Sequence, residues 1–113
     1  MMLCEALEEI PGGVDFRTQE PFCFSDGQLH FADIYLPEHH TIIEVDSDHK
    51  LPSPYTQKPP FHYAERDRRF LEEKQIDTVR FSNTEVEQNP HQRACEALNR
   101  ADAWEDIIAS GRL

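Results

Sequence analysis

Basic residues are scarce. Eleven lysines and arginines stand against twenty-two aspartates and glutamates, a formal net charge of −11. That balance excludes a broadly cationic surface, on which binding along a nucleic-acid backbone ordinarily relies, and it points towards a protein partner. Long apolar runs are also missing. Nothing approaches the roughly 20 consecutive apolar residues needed to span a bilayer, so no membrane association is expected. The N-terminus, Met-Met-Leu-Cys-Glu, lacks the basic region and cleavage pattern of a signal peptide. Cysteine is limited to Cys4, Cys23 and Cys95, odd in number and without a C-x-x-C pair. This excludes a closed disulfide framework and a thiolate zinc site, and implies free thiols in a reducing cytoplasm. There is no internal repeat, and 113 residues give room for one domain, 1–113, with a single modest core.

What the chain does contain is concentrated between Phe31 and Lys50, F-A-D-I-Y-L-P-E-H-H-T-I-I-E-V-D-S-D-H-K. Two apolar runs, Phe31–Leu36 and Thr41–Val45, flank a turn-like Pro37-Glu38-His39-His40 link and read as adjacent antiparallel strands. Side chains alternate along a strand. Alternation predicts Phe31, Asp33 and Tyr35 on one face with Ile42, Glu44 and Asp46. Ala32, Ile34, Leu36, Thr41, Ile43 and Val45 then form a hydrocarbon face opposite. Asp33, Glu44 and Asp46 grouped in this way repel one another unless a cation lies among them. Their oxygens suit a hard cation such as Mg2+, with Mn2+ as a substitute. The plain alternative is the solvated face of a one-sided sheet.

The remaining elements frame that hairpin. Residues 2–10 place Leu3, Leu7 and Ile10 at helical spacing, leave Glu5 off the apolar face, and end at Pro11-Gly12-Gly13. Val14–Phe24 reads as an irregular or edge strand, because Pro21 cannot donate to a ladder. Ser25–Gln28 is a turn, which makes the three strands a meander. Residues 51–60 carry four prolines and read as an extended loop. Phe61–Gln75 reads as a helix burying Phe70 and Leu71, with Arg66 and Asp67 in its charged run. Thr78–Phe81 is a short strand with Arg80 opposite Val79 and Phe81. Asn83 is a candidate N-cap, and Pro90 opens a further helix. Residues 101–113 form a helical tail with Trp104, Ile107 and Ile108 at helical spacing.

The ordered set Glu5, Phe16-Arg17-Thr18-Gln19, Asp33, Glu44-Val45-Asp46, His49, Val79-Arg80-Phe81 and Asn83-Thr84-Glu85-Val86 resembles the PD-(D/E)XK nuclease superfamily. Within it, the pattern is similar to the branch of very-short-patch-repair-like endonucleases. The likeness runs from about Glu5 to Leu98. Ser47 stands where that branch has Gly, the Asp46–His49 gap is shorter, and the superfamily's Lys is absent, leaving the general base unassigned. The resemblance implies an α/β (or α+β), restriction-endonuclease-like fold: a single mixed sheet with an antiparallel three-strand meander flanked by helices. It implies Mg2+-dependent phosphodiester hydrolysis on DNA, by cutting or nicking. Asp33, Glu44 and Asp46 would hold the metal, and His49 or Glu5 would assist proton transfer. Gln19, Arg66 and Asp67 would be auxiliary. Two other readings stay open: a catalytically inactive acidic member of the fold that mimics DNA, and a nuclease subunit that depends on a partner for DNA recognition.

Overall fold

The computed structural model describes residues 2–46 and 60–111. Its elements run α1 (Met2–Glu8), β1 (Arg17–Cys23), β2 (Leu29–Leu36), a 3-10 turn (Pro37–His39), β3 (Thr41–Asp46), α2 (Pro60–Lys74), β4 (Asp77–Ser82), α3 (Asn83–Gln88) and α4 (Pro90–Ala109). One four-stranded mixed sheet in the order β1-β2-β3-β4 is flanked by helices. The first three strands form the expected antiparallel meander, and β4 joins β3 in parallel after the chain has passed through α2. Parallel neighbours require such a crossover. As Pro21 suggested, β1 is an edge strand, trimmed to Arg17–Cys23.

Both faces of the sheet are covered, which corrects the expectation of one hydrocarbon and one acidic face. Ile34, Leu36, Ile43, Val79 and Phe81 pack with Leu3, Ala6 and Leu7 of α1, Val86 of α3, and Ala94, Ala97 and Ala101 of α4. Ala32 and Ile42 pack on the other side with Phe24, Phe70 of α2 and Ile76. Ala32 and Ile34 are two residues apart, so a regular pleat would put them on the same face. The register explains the change. Thr18 pairs with Ile34 and Glu20 with Ala32, but Gln19 and Asp33 between them are unpaired. Gln19 takes φ 51°, a left-handed conformation uncommon for a residue with a Cβ. The pleat is therefore reset at Asp33.

Phe70 is fully buried and meets three rings edge-on: Phe22 at 5.3 Å, Phe24 at 4.9 Å and His30 at 5.5 Å between centroids. Leu71, expected in the core, is instead 39% exposed, because its neighbour Phe70 occupies the inward position of α2. The cap of α3 is Ser82 rather than Asn83. Its hydroxyl accepts from the Glu85 amide while the Glu85 carboxylate accepts from the Ser82 amide, a reciprocal capping box. Asn89 caps α4 through the Gln92 amide, with Pro90 next. Residues 101–109 of the expected tail are the end of α4, and buried Trp104 donates from Nε1 to the Gln75 carbonyl at 3.2 Å. Among the described residues, no helix is long and apolar enough to cross a membrane.

Candidate functional site

Where β1–β2 pairing lapses, side chains replace the ladder. Asp33 Oδ2 accepts from the Val45 amide at 3.0 Å, the Asp33 amide donates to Glu44 Oε2 at 3.4 Å, and Gln19 Nε2 donates to Asp33 Oδ1 at 3.5 Å. Regular β2–β3 pairing starts only at Ile34–Ile43. Asp33 thus ties β2 to the Glu44-Val45-Asp46 segment by its carboxylate. It also lines a cleft of about 280 Å3 with Met2, Val45, Asn83, Val86 and Glu87.

Glu44 is buried, only 4% exposed, and His30 Nε2 lies 2.7 Å from its Oε1. Burial pushes the Glu44 carboxyl above its ordinary pKa. The His30 hydrogen bond opposes that rise, and the charge of Asp33 adds to it. The folded chain therefore holds this proton at a pH where the unfolded chain has released it. Its contribution to stability is largest below the ordinary glutamate range and is lost as pH rises through that range to the raised value. Chemical unfolding of the wild type and Glu44→Gln across that interval should show wild-type stability falling relative to the variant as pH rises. The opposite slope would contradict the burial argument.

Arg80 pairs across the parallel register with Glu44. Its guanidinium grips Asp67 of α2 with two bonds, Nε to Oδ2 at 3.1 Å and NH2 to Oδ1 at 2.7 Å. Its NH1 reaches both Asp46 oxygens, at 3.3 and 3.4 Å. Burial works to lower the Arg80 pKa, but the Asp67 hydrogen bond and the charges of Asp67, Asp46 and Glu44 outweigh it and raise the value. The forked guanidinium suits two carboxylates at once. Arg80→Met keeps the stem and removes the charge, leaving Asp46 and Asp67 facing each other. We expect a loss of about 2 kcal/mol, the scale of hydrogen bonds to charged groups, measured by urea unfolding; no loss would mean that the cluster is merely solvated.

The three acids predicted to act together are therefore split between two groups rather than gathered at one point. Asp33 and Glu44 meet through a backbone amide, whereas Asp46 belongs to the Arg80–Asp67 group. Their ligand atoms do not all lie within 4.8 Å of one another, a condition that among the described residues only His39, Asp102 and Glu105 meet. The carboxylate oxygens of Asp33, Glu44 and Asp46 fit Mg2+ in donor type, though they are not gathered at one point. Gln19 does reach Asp33, as expected. Glu5 is exposed on α1 and is not among the residues lining the Asp33 cleft. Arg66 is half-buried and lines a second cleft of about 160 Å3 with Phe24, Gln28, Leu29, His30, Glu65 and Arg69. His49 and residues 51–59 of the proline-rich segment lie outside the described residues.

Sequence reasoning missed His30 and undervalued Arg80. Each lies in a strand and shows its importance only through pairing, His30 with buried Glu44 and Arg80 with the ends of β3 and α2. Neither a protein-family model, nor a curated protein, nor a solved structure matches this chain.

Proposed function

We propose that this chain is a metal-dependent endonuclease or nickase that hydrolyses phosphodiester bonds in DNA, with a restriction-endonuclease-like arrangement around β2 and β3. The observation that carries the reading is the Asp33–Val45 hydrogen bond. It fixes an acid of one strand against the E-V-D segment of the next, beside an open cleft. The resemblance in sequence assigns these same positions to metal binding. The resemblance gives Asp33, Glu44 and Asp46 as ligands of Mg2+, or of Mn2+ in its place, which would polarise a phosphoryl oxygen and make water a better nucleophile. To reach one ion together with the other two, Asp46 would exchange its Arg80 contacts for the metal. Gln19 and the Val45 amide orient the Asp33 carboxylate. His30 does the same for Glu44, as partners behind ligating carboxylates generally do. Arg80 offsets part of the charge of Asp46 and Asp67 and holds the end of β3 to α2.

A plasmid-nicking assay tests the proposal. With Mg2+ or Mn2+ the wild type relaxes supercoiled DNA, a chelator stops it, and Asp33→Ala and Asp46→Ala do not cut. Cleavage that persists in both variants, or no cleavage with either metal, would overturn it for the isolated chain.

One arrangement favours a second reading, an acidic member of the same fold that acts by binding protein. Both Asp46 oxygens are engaged by Arg80, and the chain carries a net charge of −11, as a mimic of DNA charge would. Such a protein would need no metal and would keep its effect in Asp33→Ala. A nuclease subunit dependent on a partner for DNA recognition would instead bind Mg2+ and gain activity only when that partner is added.

A further inference from the structure

At the opposite end of β3 from Asp46, the 3-10 turn brings one imidazole against two acids of α4. His39 Nδ1 lies 3.0 Å from Glu105 Oε2 and 3.4 Å from Asp102 Oδ1. All three atoms fall within 4.8 Å of one another. We propose that His39, Asp102 and Glu105 form a binding site for a divalent transition-metal cation of the zinc class. Atoms bound to one zinc at about 2.0–2.2 Å in a tetrahedron stand roughly 3.3–3.6 Å apart. The two imidazole–carboxylate separations are already near that spacing.

The donor types favour this class. Imidazole nitrogen suits zinc, nickel or copper, whereas magnesium and calcium prefer oxygen alone. Two carboxylates with a neutral imidazole carry a charge of about −2, which a divalent cation balances. A shared imidazolium would leave one negative charge over. Three protein ligands leave a coordination position for water or another ligand.

The backbone carrying the three groups is held in place, although the Asp102 and Glu105 side chains are themselves 65% and 48% exposed. His39 is half-buried, its side chain 19% exposed. Its carbonyl accepts from Thr41 Oγ1 at 3.0 Å, and the next carbonyl, of His40, accepts from the Asp77 amide at 3.0 Å. His40 closes the turn at φ 51°. Asp102 and Glu105 are three apart on α4, so they share a side of the helix. Trp104 between them is buried and bonded to the Gln75 carbonyl, which fixes the rotation of α4. His39 and Asp46 flank the strand at its two ends, roughly 15 Å or more apart at about 3.3 Å per residue. The site therefore does not depend on the nuclease reading.

The full chain, stripped with a chelator and dialysed, would be titrated calorimetrically with Zn2+, and with Co2+ while visible absorption is followed. The expected result is one tight equivalent per chain. The affinity should be weakened at least tenfold by His39→Ala and by Glu105→Gln and be unchanged in Glu72→Gln, an exposed acid of α2 paired with Arg68, with circular dichroism showing every variant folded. Absence of stoichiometric binding would overturn the proposal, leaving an ordinary ion pair. So would an affinity that stays within twofold in His39→Ala, or one that is lost in Glu72→Gln.

Discussion

Asp33→Asn should lower Mg2+-dependent nicking at least a hundredfold while leaving the fold in place. The amide is isosteric, and its oxygen can still accept from the Val45 amide at the 3.0 Å contact that joins β2 to β3. What it lacks is the negative charge. A carboxylate that holds a metal against a phosphate contributes several kcal/mol of charge stabilisation, and about 1.4 kcal/mol corresponds to a tenfold change in rate. Thermal unfolding of the variant should be close to that of the wild type, because the hydrogen bond survives. That pairing of results separates a chemical role from a structural one. A purely structural Asp33 would give small changes in both, and a variant that unfolds would be replaced by Asp33→Glu, which keeps the charge but displaces it. Asp33→Glu should also be slow, since ligand geometry around Mg2+ is strict.

The largest effect on stability should come from Phe70→Ala, a loss of about 3–5 kcal/mol in urea unfolding, as for other buried phenylalanines. Phe70 has no exposed surface. It is the residue of α2 against which Phe22, Phe24 and the His30 ring pack, and aromatic edge contacts add to the area term. Removing it opens a cavity bounded by the Ala32 and Ile42 side of the sheet, a rigid wall that cannot collapse to fill it. The same cavity would undercut His30, whose ring is held between Phe70 and the Glu44 carboxylate. Nicking should therefore fall further than the lost stability alone accounts for, even at temperatures where the variant remains folded. A cost below about 1 kcal/mol would mean that α2 is not anchored through this ring.

The elements were legible in the sequence because their signals are local. Apolar alternation marked β2 and β3, Pro21 marked an edge strand, and the spacing of Leu3 and Leu7 marked α1. The three-strand meander followed from the order of those signals, while the single mixed sheet with flanking helices was what the family resemblance implied. The facing of the acids did not follow. Gln19 adopts a left-handed conformation that sequence patterns assign to glycine or asparagine, so nothing local announced the reset of the pleat at Asp33. Glu44 was read as a member of an exposed acidic face, yet it is buried, because helices cover both faces of the sheet and not one. Arg80 was placed on the correct side of β4, but its grip on Asp46 and Asp67 depends on parallel pairing with β3 and on the docking of α2. Both are long-range events. Leu71 failed for a simpler reason: adjacent helical positions point about 100° apart, so Phe70 and Leu71 cannot both face the same core.

The most direct measurement is the initial rate of supercoiled-plasmid relaxation by the wild-type chain, titrated with Mg2+ from zero to several millimolar at constant ionic strength. A rate that is nil without metal, rises to saturation with Mg2+ and is restored after chelation by adding Mn2+ is the result expected of acids on β2 and β3 that hold a hard cation. Relaxation independent of metal, or none at any concentration of either ion, would contradict that account, and the −11 charge with the Arg80-bound acids would then point to protein binding as the chain's activity.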